Sequence, residues 1–364
     1  MPRVDLAGVS KSYGNIQALK DVSLRVEDRE YVCIIGPSGC GKSTLIRCIA
    51  GIERPTSGEI LIDGQSVELL PIEDRQIGYV FQDIALFPHL TVQDNLAYGL
   101  AIKQASPDEM RTVTTEMLDL IKMRDRSKSY PRELSGGAQQ KVAVGRAIAT
   151  GARLFLLDEP LGALDAIVRA ELRYELRKLA SDLGLTVIHV THDQEEALSI
   201  ADRVVIMKSG RIVEVERPSE IYYKPKTLFA ANFVGEANLL EGRVTRTDSG
   251  ECNIDVKGHE VRVPVLRKKV GERVIVSIRP EFVRLTPLTG KGWSGRVKNV
   301  TFFGGLNRYV IEAEGGIEIV AEVSTVEYST GFRVDEDVSV FLEEASILIF
   351  DYPEEGLQKE LSLE

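Results

Sequence analysis

GPSGCGKSTL, residues 36–45, follows directly on the apolar run Tyr31-Val32-Cys33-Ile34-Ile35. Glycines, a lysine and hydroxyls placed straight after a buried strand suit a phosphate. A glycine-rich turn lets successive backbone N–H groups converge on an anion, and the helix that follows adds the positive end of its dipole. The spacing is that of the P-loop: Gly36, four residues, then Gly41-Lys42-Ser43. The strand before it and the apolar helix after it, marked by Leu45, Ile46 and Ile49, supply the context this motif needs. In that arrangement Lys42 reaches the β- and γ-phosphates and the Ser43 hydroxyl ligates Mg2+. A tight strand-to-helix turn with an incidental lysine is the competing explanation, and the context favours nucleotide binding.

At 364 residues the chain is long for a single core, so two domains are expected. A net charge of -10 and a pI near 5.2 argue against a nucleic-acid binder, whose affinity rests on basic surface. Cys33, Cys40, Cys48 and Cys252 show no metal spacing, and two lie in or beside the phosphate loop, so they read as reduced thiols of a cytosolic protein. No window is apolar enough to span a bilayer, and Met1-Pro2-Arg3-Val4-Asp5 begins no signal region.

From residue 3 to 82 the pattern is of strands, interrupted by one helix after the phosphate loop. Residues 84–152 read as a helical insert, with Ser106-Pro107-Asp108-Glu109 as a capping box and Met110, Val113, Met117, Leu120 and Ile121 on one face. Strands return at 153–158, 186–190, 203–207 and 211–215, and a helix carrying Val168, Leu172, Leu176, Leu179 and Leu183 separates the first two, as in an α/β core. After Gly235 helix signals vanish and short strands run to the end. There Gly242-Arg243-Val244 echoes Gly295-Arg296-Val297, a hint of a duplicated small β-barrel.

A P-loop needs an acidic partner to hold Mg2+ and activate water. Leu154-Phe155-Leu156-Leu157-Asp158-Glu159 supplies it, as a doubly covered strand whose carboxylates emerge at the C-terminal end. Asp158 would join the Mg2+ shell and Glu159 would orient the attacking water as general base; a solvated strand end is the plainer alternative. His192 follows another strand, which suits a γ-phosphate contact, although a lone histidine is commonly an ordinary surface or core residue. Leu134-Ser135-Gly136-Gly137-Ala138 opens a further helix with a hydroxyl and two glycines, either a serine N-cap or a second anion site. A head-to-tail dimer would use both sites, each subunit closing the other's ATP.

With these elements in order the sequence resembles the nucleotide-binding subunit of an ATP-binding cassette transporter, over essentially the whole chain. Walker A is residues 36–44, that is Gly36, Pro37, Ser38, Gly39, Cys40, Gly41, Lys42, Ser43 and Thr44; Walker B is 154–158; Ser135, Gly136 and Gly137 belong to the signature. The resemblance further implies that Tyr13 stacks on adenine, that Gln82 is the Q-loop glutamine and an Mg2+ ligand beside Ser43 and Asp158, that Asp165 is the D-loop aspartate and His192 the switch histidine. Ala138 stands where glutamine is commonest, with Gln139 after it. The implied fold is an α/β P-loop NTPase core, residues 1–235 with a helical subdomain at 84–152, followed by an all-β OB-like (TOBE-type) accessory domain, residues 236–364.

Residues 277–281 and 292–303 look like the accessory domain of the importer branch, whose ATPase subunits form homodimers on two membrane permeases fed by an extracytoplasmic binding protein. That implies ATP and Mg2+ as cofactors, no nucleic-acid partner, and a peripheral place on the cytoplasmic face of the inner membrane. Residues 83–98 fall where such permeases dock, or serve simply as core of the insert. Phe233-Val234-Gly235-Glu236-Ala237-Asn238-Leu239-Leu240 looks more like the iron, polyamine or phosphonate members than the sugar members. A soluble cassette ATPase of DNA repair or translation is the alternative class. It would need a coiled coil between Lys42 and Ser135 or a second cassette, and the sequence has neither.

Overall fold

The computed structural model describes residues 2–162, 164–247, 251–264, 268–326 and 331–362. Two compact units divide the chain, Met1–Ser219 and Glu220–Ser362.

In the first unit the strands Tyr31–Ile35, Leu154–Asp158 and Thr186–Val190 are buried at every position. Such wholly buried, mainly apolar strands belong in a parallel sheet covered on both faces. They form a six-stranded sheet in the order Arg211–Glu216, Arg203–Lys208, Tyr31–Ile35, Thr186–Val190, Leu154–Asp158, Ile77–Val80. All neighbours are parallel except the terminal hairpin 203–216. Ile34 pairs with Val190 and Val190 with Asp158, so the chain leaves all three central strands at one edge. That edge is where α/β sheets bind ligands. Leu45, Ile46 and Ile49 of the helix Lys42–Ala50 pack into one core with Ile34, Leu156, Ile188 and Val205. Each buried Leu or Ile contributes about 1.5–3 kcal/mol, which fixes the helix behind the phosphate loop. A separate antiparallel sheet runs Ile16–Val26, Val4–Tyr13, Ser57–Ile62, Gln65–Ser66.

Three helices, Val92–Ile102, Pro107–Leu120 and Gly136–Ala149, share a core of Val92, Leu96, Leu118, Ile121, Met123 and Val142. Each is N-capped by a hydroxyl, from Thr91, Ser106 and Ser135. The expected face of Pro107–Leu120 turns to that core, with Ile121 buried and Met110, Val113, Met117 and Leu120 half-buried, and Thr114 and Leu118 are buried beside it. The stripe on Ala166–Leu183 also ends early, burying Leu172, Leu176 and Ala180 while Leu183 is 40% exposed. Gly184 turns left-handed there, and Leu185, whose N–H bonds Ala180 O at 2.9 Å, enters the core in its place.

The second unit carries the helix Leu228–Phe233 and then becomes two five-stranded sheets. One runs His259–Pro264, Glu251–Val256, Asn238–Thr247, Arg273–Ile278, Leu348–Asp351; the other Ile317–Ser324, Leu306–Ala313, Trp293–Phe302, Asp337–Leu342, Val283–Pro287. The order is the same in both, with the fifth strands exchanged. Asn238–Thr247 and Trp293–Phe302 also break register at matching points, after Val244 and after Val297. The Gly-Arg-Val echo therefore marks a structural repeat. A short helix, Leu357–Leu361, corrects the expectation of strands alone to the end; five residues are too few to carry a periodic signal.

Candidate active site

The loop after Tyr31–Ile35 is shaped by its glycines. A Cβ on Gly36 would lie 2.2 Å from Met207 O, and Gly41 adopts φ 106° with its Cα facing Ala18 O. Gly41 is the N-cap of Lys42–Ala50 and offers no side-chain cap, so the helix's first amides are left to a ligand. Lys42 is buried and its Nζ donates to Gly36 O at 2.8 Å and Pro37 O at 2.9 Å. An ammonium held on neutral carbonyls is a cation without an anion, which a phosphate would supply. Ser38 and Gly39 are exposed on the loop, Cys40 is buried beneath it, and Thr44 is half-buried. Cys33, Cys40, Cys48 and Cys252 are all buried free thiols.

Ser43 Oγ donates to Asp158 Oδ1 at 3.2 Å, and Tyr79 OH donates to Asp158 Oδ2 at 3.1 Å. Burial, then the neighbouring Asp158, pushes the Tyr79 phenol well up, so it remains a donor. One residue on, Glu159 Oε2 receives two groups: Gln82 Nε2 at 3.0 Å and His192 Nδ1 at 3.1 Å. With the carboxylate as acceptor, the His192 Nδ1 carries the proton and Nε2 is left for a phosphate or water. Glu159 has φ 47°, a left-handed backbone fixed by its N–H to Val190 O at 2.8 Å.

The remaining candidates lie on helix starts and a strand end. Ser135 accepts from Ala138 N–H at 3.3 Å, and Ser135 and Gly136 are exposed while Gly137 is buried. A Cβ on Gly137 would sit 2.6 Å from Val168 Cγ1, so that glycine lets the signature helix touch Ala166–Leu183. Asp165 caps the latter helix by accepting from Val168 N–H at 3.1 Å. Tyr13 closes the strand Val4–Tyr13, half exposed, with Lys11 Nζ 4.8 Å from its ring centroid. The structure thus brings Ser43 to Asp158 and brings Gln82 and His192 to Glu159, two sets joined by the Asp158–Glu159 peptide, and records no bond from Tyr13, Ser135 or Asp165 to either among the described residues.

Three contributors were not singled out from sequence. Tyr79 holds Asp158, Gln139 donates to Pro131 O and Leu134 O at 3.0 and 3.2 Å to fix the approach to Ser135, and Arg169 bonds Asp193 at 3.1 Å beside His192. Only Gln139 carried a signal, as the residue after the Ala138 departure.

The family model described as ABC transporter matches residues 19–162, and that described as TOBE domain matches residues 276–350. The chain is 42% identical to the Fe(3+) ions import ATP-binding protein FbpC of Brucella abortus (strain 2308), over 91% of this chain and 94% of that protein. It is 44% identical to the spermidine/putrescine import ATP-binding protein PotA of Thermotoga maritima, over 78% of this chain and 77% of the other. A solved ATP-binding cassette, dimeric in a post-hydrolysis state with ADP and Pi, superposes with a TM-score of 0.54 at 36% identity, covering 59% of this chain and 98% of its own. On these grounds the chain belongs to the ATP-binding cassette transporter family, as an ATPase subunit that carries a C-terminal TOBE domain.

Proposed function

We propose that the chain hydrolyses ATP to energise import of a cationic solute, ferric iron or a polyamine, as a homodimer on two integral permease subunits served by an extracytoplasmic binding protein. The observation that carries the catalytic half is the convergence of Gln82 and His192 on Glu159 Oε2, one residue beyond the Ser43–Asp158 contact. The import half rests on relatives named for ferric iron and for spermidine/putrescine, matched over 91% and 97% of this chain and 94% and 100% of their own. The relatives' names weigh against the soluble repair or translation class. Among the described residues no helix is long and apolar enough to cross a membrane, so any crossing by helices falls to the permeases; the subunit would work at their cytoplasmic face. In this scheme residues 1–235 form the cassette, with 84–152 as its helical part, and 236–364 a regulatory domain.

Each side chain then has a task. Residues 36–44 wrap the phosphates, Lys42 meets the β- and γ-phosphates, and Tyr13 stacks on adenine. Glu159 holds and deprotonates the attacking water, and His192, oriented by Glu159, touches the γ-phosphate. Ser135, Gly136 and Gly137 receive the partner subunit's ATP, with Asp165 at the same interface. Ser43 and Asp158 offer a hydroxyl and a carboxylate 3.2 Å apart, a hard-oxygen pair that suits Mg2+, with Gln82 as a further oxygen. No cluster of three or more acidic, histidine or cysteine side chains fit for a metal occurs among the described residues. The Mg2+ would neutralise charge developing on the phosphates. To test the solute, labelled ferric iron and labelled spermidine are offered to cells lacking this chain and to complemented cells. Restored uptake of one identifies it, and restoration of neither, with the chain expressed, rejects the cation assignment.

A further inference from the structure

Glu196 is buried to 2% exposure and has no task in the scheme above. It lies on the helix Gln194–Ile200, immediately behind the turn that carries His192. Thr191 Oγ1 donates to Glu196 Oε2 at 2.7 Å and accepts from Asp193 N–H at 3.0 Å. The residues on both sides of His192 therefore hang on one hydroxyl, and that hydroxyl hangs on Glu196. Asp193 closes the loop by accepting Glu196 N–H at 3.0 Å and Arg169 at 3.1 Å.

The other carboxyl oxygen, Oε1, faces Nε2 of the fully buried His189 at 3.3 Å, and neither atom has a hydrogen-bond partner elsewhere among the described residues. His189 Nδ1 in turn lies 2.9 Å from the buried Tyr31 hydroxyl. Two orphaned polar atoms facing each other in an apolar core are satisfied by a single proton between them. Burial lowers His189 to about 3, which keeps the imidazole neutral, and by choice of tautomer a neutral imidazole either accepts a proton from a carboxyl or donates its N–H to a carboxylate at that contact.

We propose that Glu196 is a positioning residue for ATP hydrolysis: gripped by His189 and Thr191, it holds the 191–193 turn so that His192 stays on Glu159. The inference rests on the roles given above to His192 and Glu159. Its test is kcat and the KM for ATP of the full chain carrying Glu196→Ala, Glu196→Gln, His192→Ala, or the first and third together. Misplacing a group by an ångström costs about 10²-fold at most in comparable cases, so Glu196→Ala should lower kcat by about 10- to 100-fold, with the ATP KM within about threefold. Glu196→Gln should restore most of the rate, because its oxygen accepts from Thr191 and its amide donates to His189. The double variant should be no slower than His192→Ala, since both act through one group. Glu196→Ala with kcat within about twofold of the parent, losses that multiply in the double variant, or Glu196→Gln as slow as Glu196→Ala would overturn the inference while leaving His192 in place. His192→Ala with full activity would overturn both. Should Glu196→Ala not fold, Thr191→Val removes the same link: a matching kcat loss supports the inference and parental kcat rejects it.

Discussion

Glu159 holds a left-handed backbone, φ 47°, that costs a residue with a Cβ about 1–3 kcal/mol. Structures keep such strain where the neighbours over-determine it, and here the N–H to Val190 O and the side-chain contacts with Gln82 and His192 do so. A carboxylate aimed by strain and two bonds is placed for one water. General-base catalysis is worth about 10²–10⁴-fold, so Glu159→Gln, which keeps shape and loses the base, should lower kcat by that factor while ATP still binds. Single-turnover hydrolysis alongside nucleotide binding checks this; a kcat within a few fold of the parent would reassign the base, with His192 next in line. Asp158, Glu159 and His192 were legible because each stands at or just past the end of an apolar strand, ends that the sheet brings to one edge, and Lys42 because it closes the P-loop spacing. Tyr79 was not. A tyrosine inside a strand reads as packing, and only the pairing of Ile77–Val80 with Leu154–Asp158 sets its hydroxyl against Asp158.

Helices show a different balance. Their starts are written locally, so the hydroxyl caps at Ser106 and Ser135 could be read directly, whereas buried faces depend on which neighbour arrives. That is why the apolar stripe overshot to Leu183, which the chain replaces with Leu185 from beyond the helix. The signature helix and Ala166–Leu183 are tied where Gly137 meets Val168, and again where Glu175 accepts from Lys141 at 2.7 Å and Lys122 at 3.0 Å. Burial would raise the Glu175 carboxyl, but the two lysines outweigh it and hold it below its usual 4.5. A lowered carboxylate contributes stability above its ordinary range, and that contribution is lost as pH falls through the lowered value. Solvent screening keeps it at about 0.5–1 kcal/mol. Glu175→Gln should therefore lower the urea midpoint at about pH 7, and the gap from the parent should narrow as pH falls below the ordinary carboxylate value of 4.5. A gap independent of pH would show that packing, not charge, links the two helices.

For the molecule as a whole, the β unit was the least legible part, since two matching tripeptides are weak testimony to a repeat. What establishes it is topology: the same strand order twice, the same break in register, and an exchange of last strands that no local pattern encodes. The cassette raises the matching question of how many chains make one site. It offers two glycine-marked helix starts, Gly41 before Lys42–Ala50 and Ser135 before Gly136–Ala149, and the second leaves Ser135 and Gly136 exposed, free to meet a second copy. The solved relative is dimeric with ADP and Pi. If each subunit's signature completes the other's phosphate site, a chain with Ser135→Arg and a chain with Lys42→Ala are each inactive alone for different reasons. Mixed, they form heterodimers in which one site has both defects and the other has none. ATPase activity should then return on mixing, to about half the parental rate per heterodimer if the sites fire independently. Subunit exchange is followed by fluorescence transfer between differently labelled chains, so that rescue is scored only where heterodimers exist. Confirmed exchange with no return of activity would mean either that each chain completes its own site or that neither site fires without the other. Vanadate trapping of nucleotide separates these: a heterodimer that traps one nucleotide keeps the composite site and makes firing coupled, and one that traps none rejects the head-to-tail dimer.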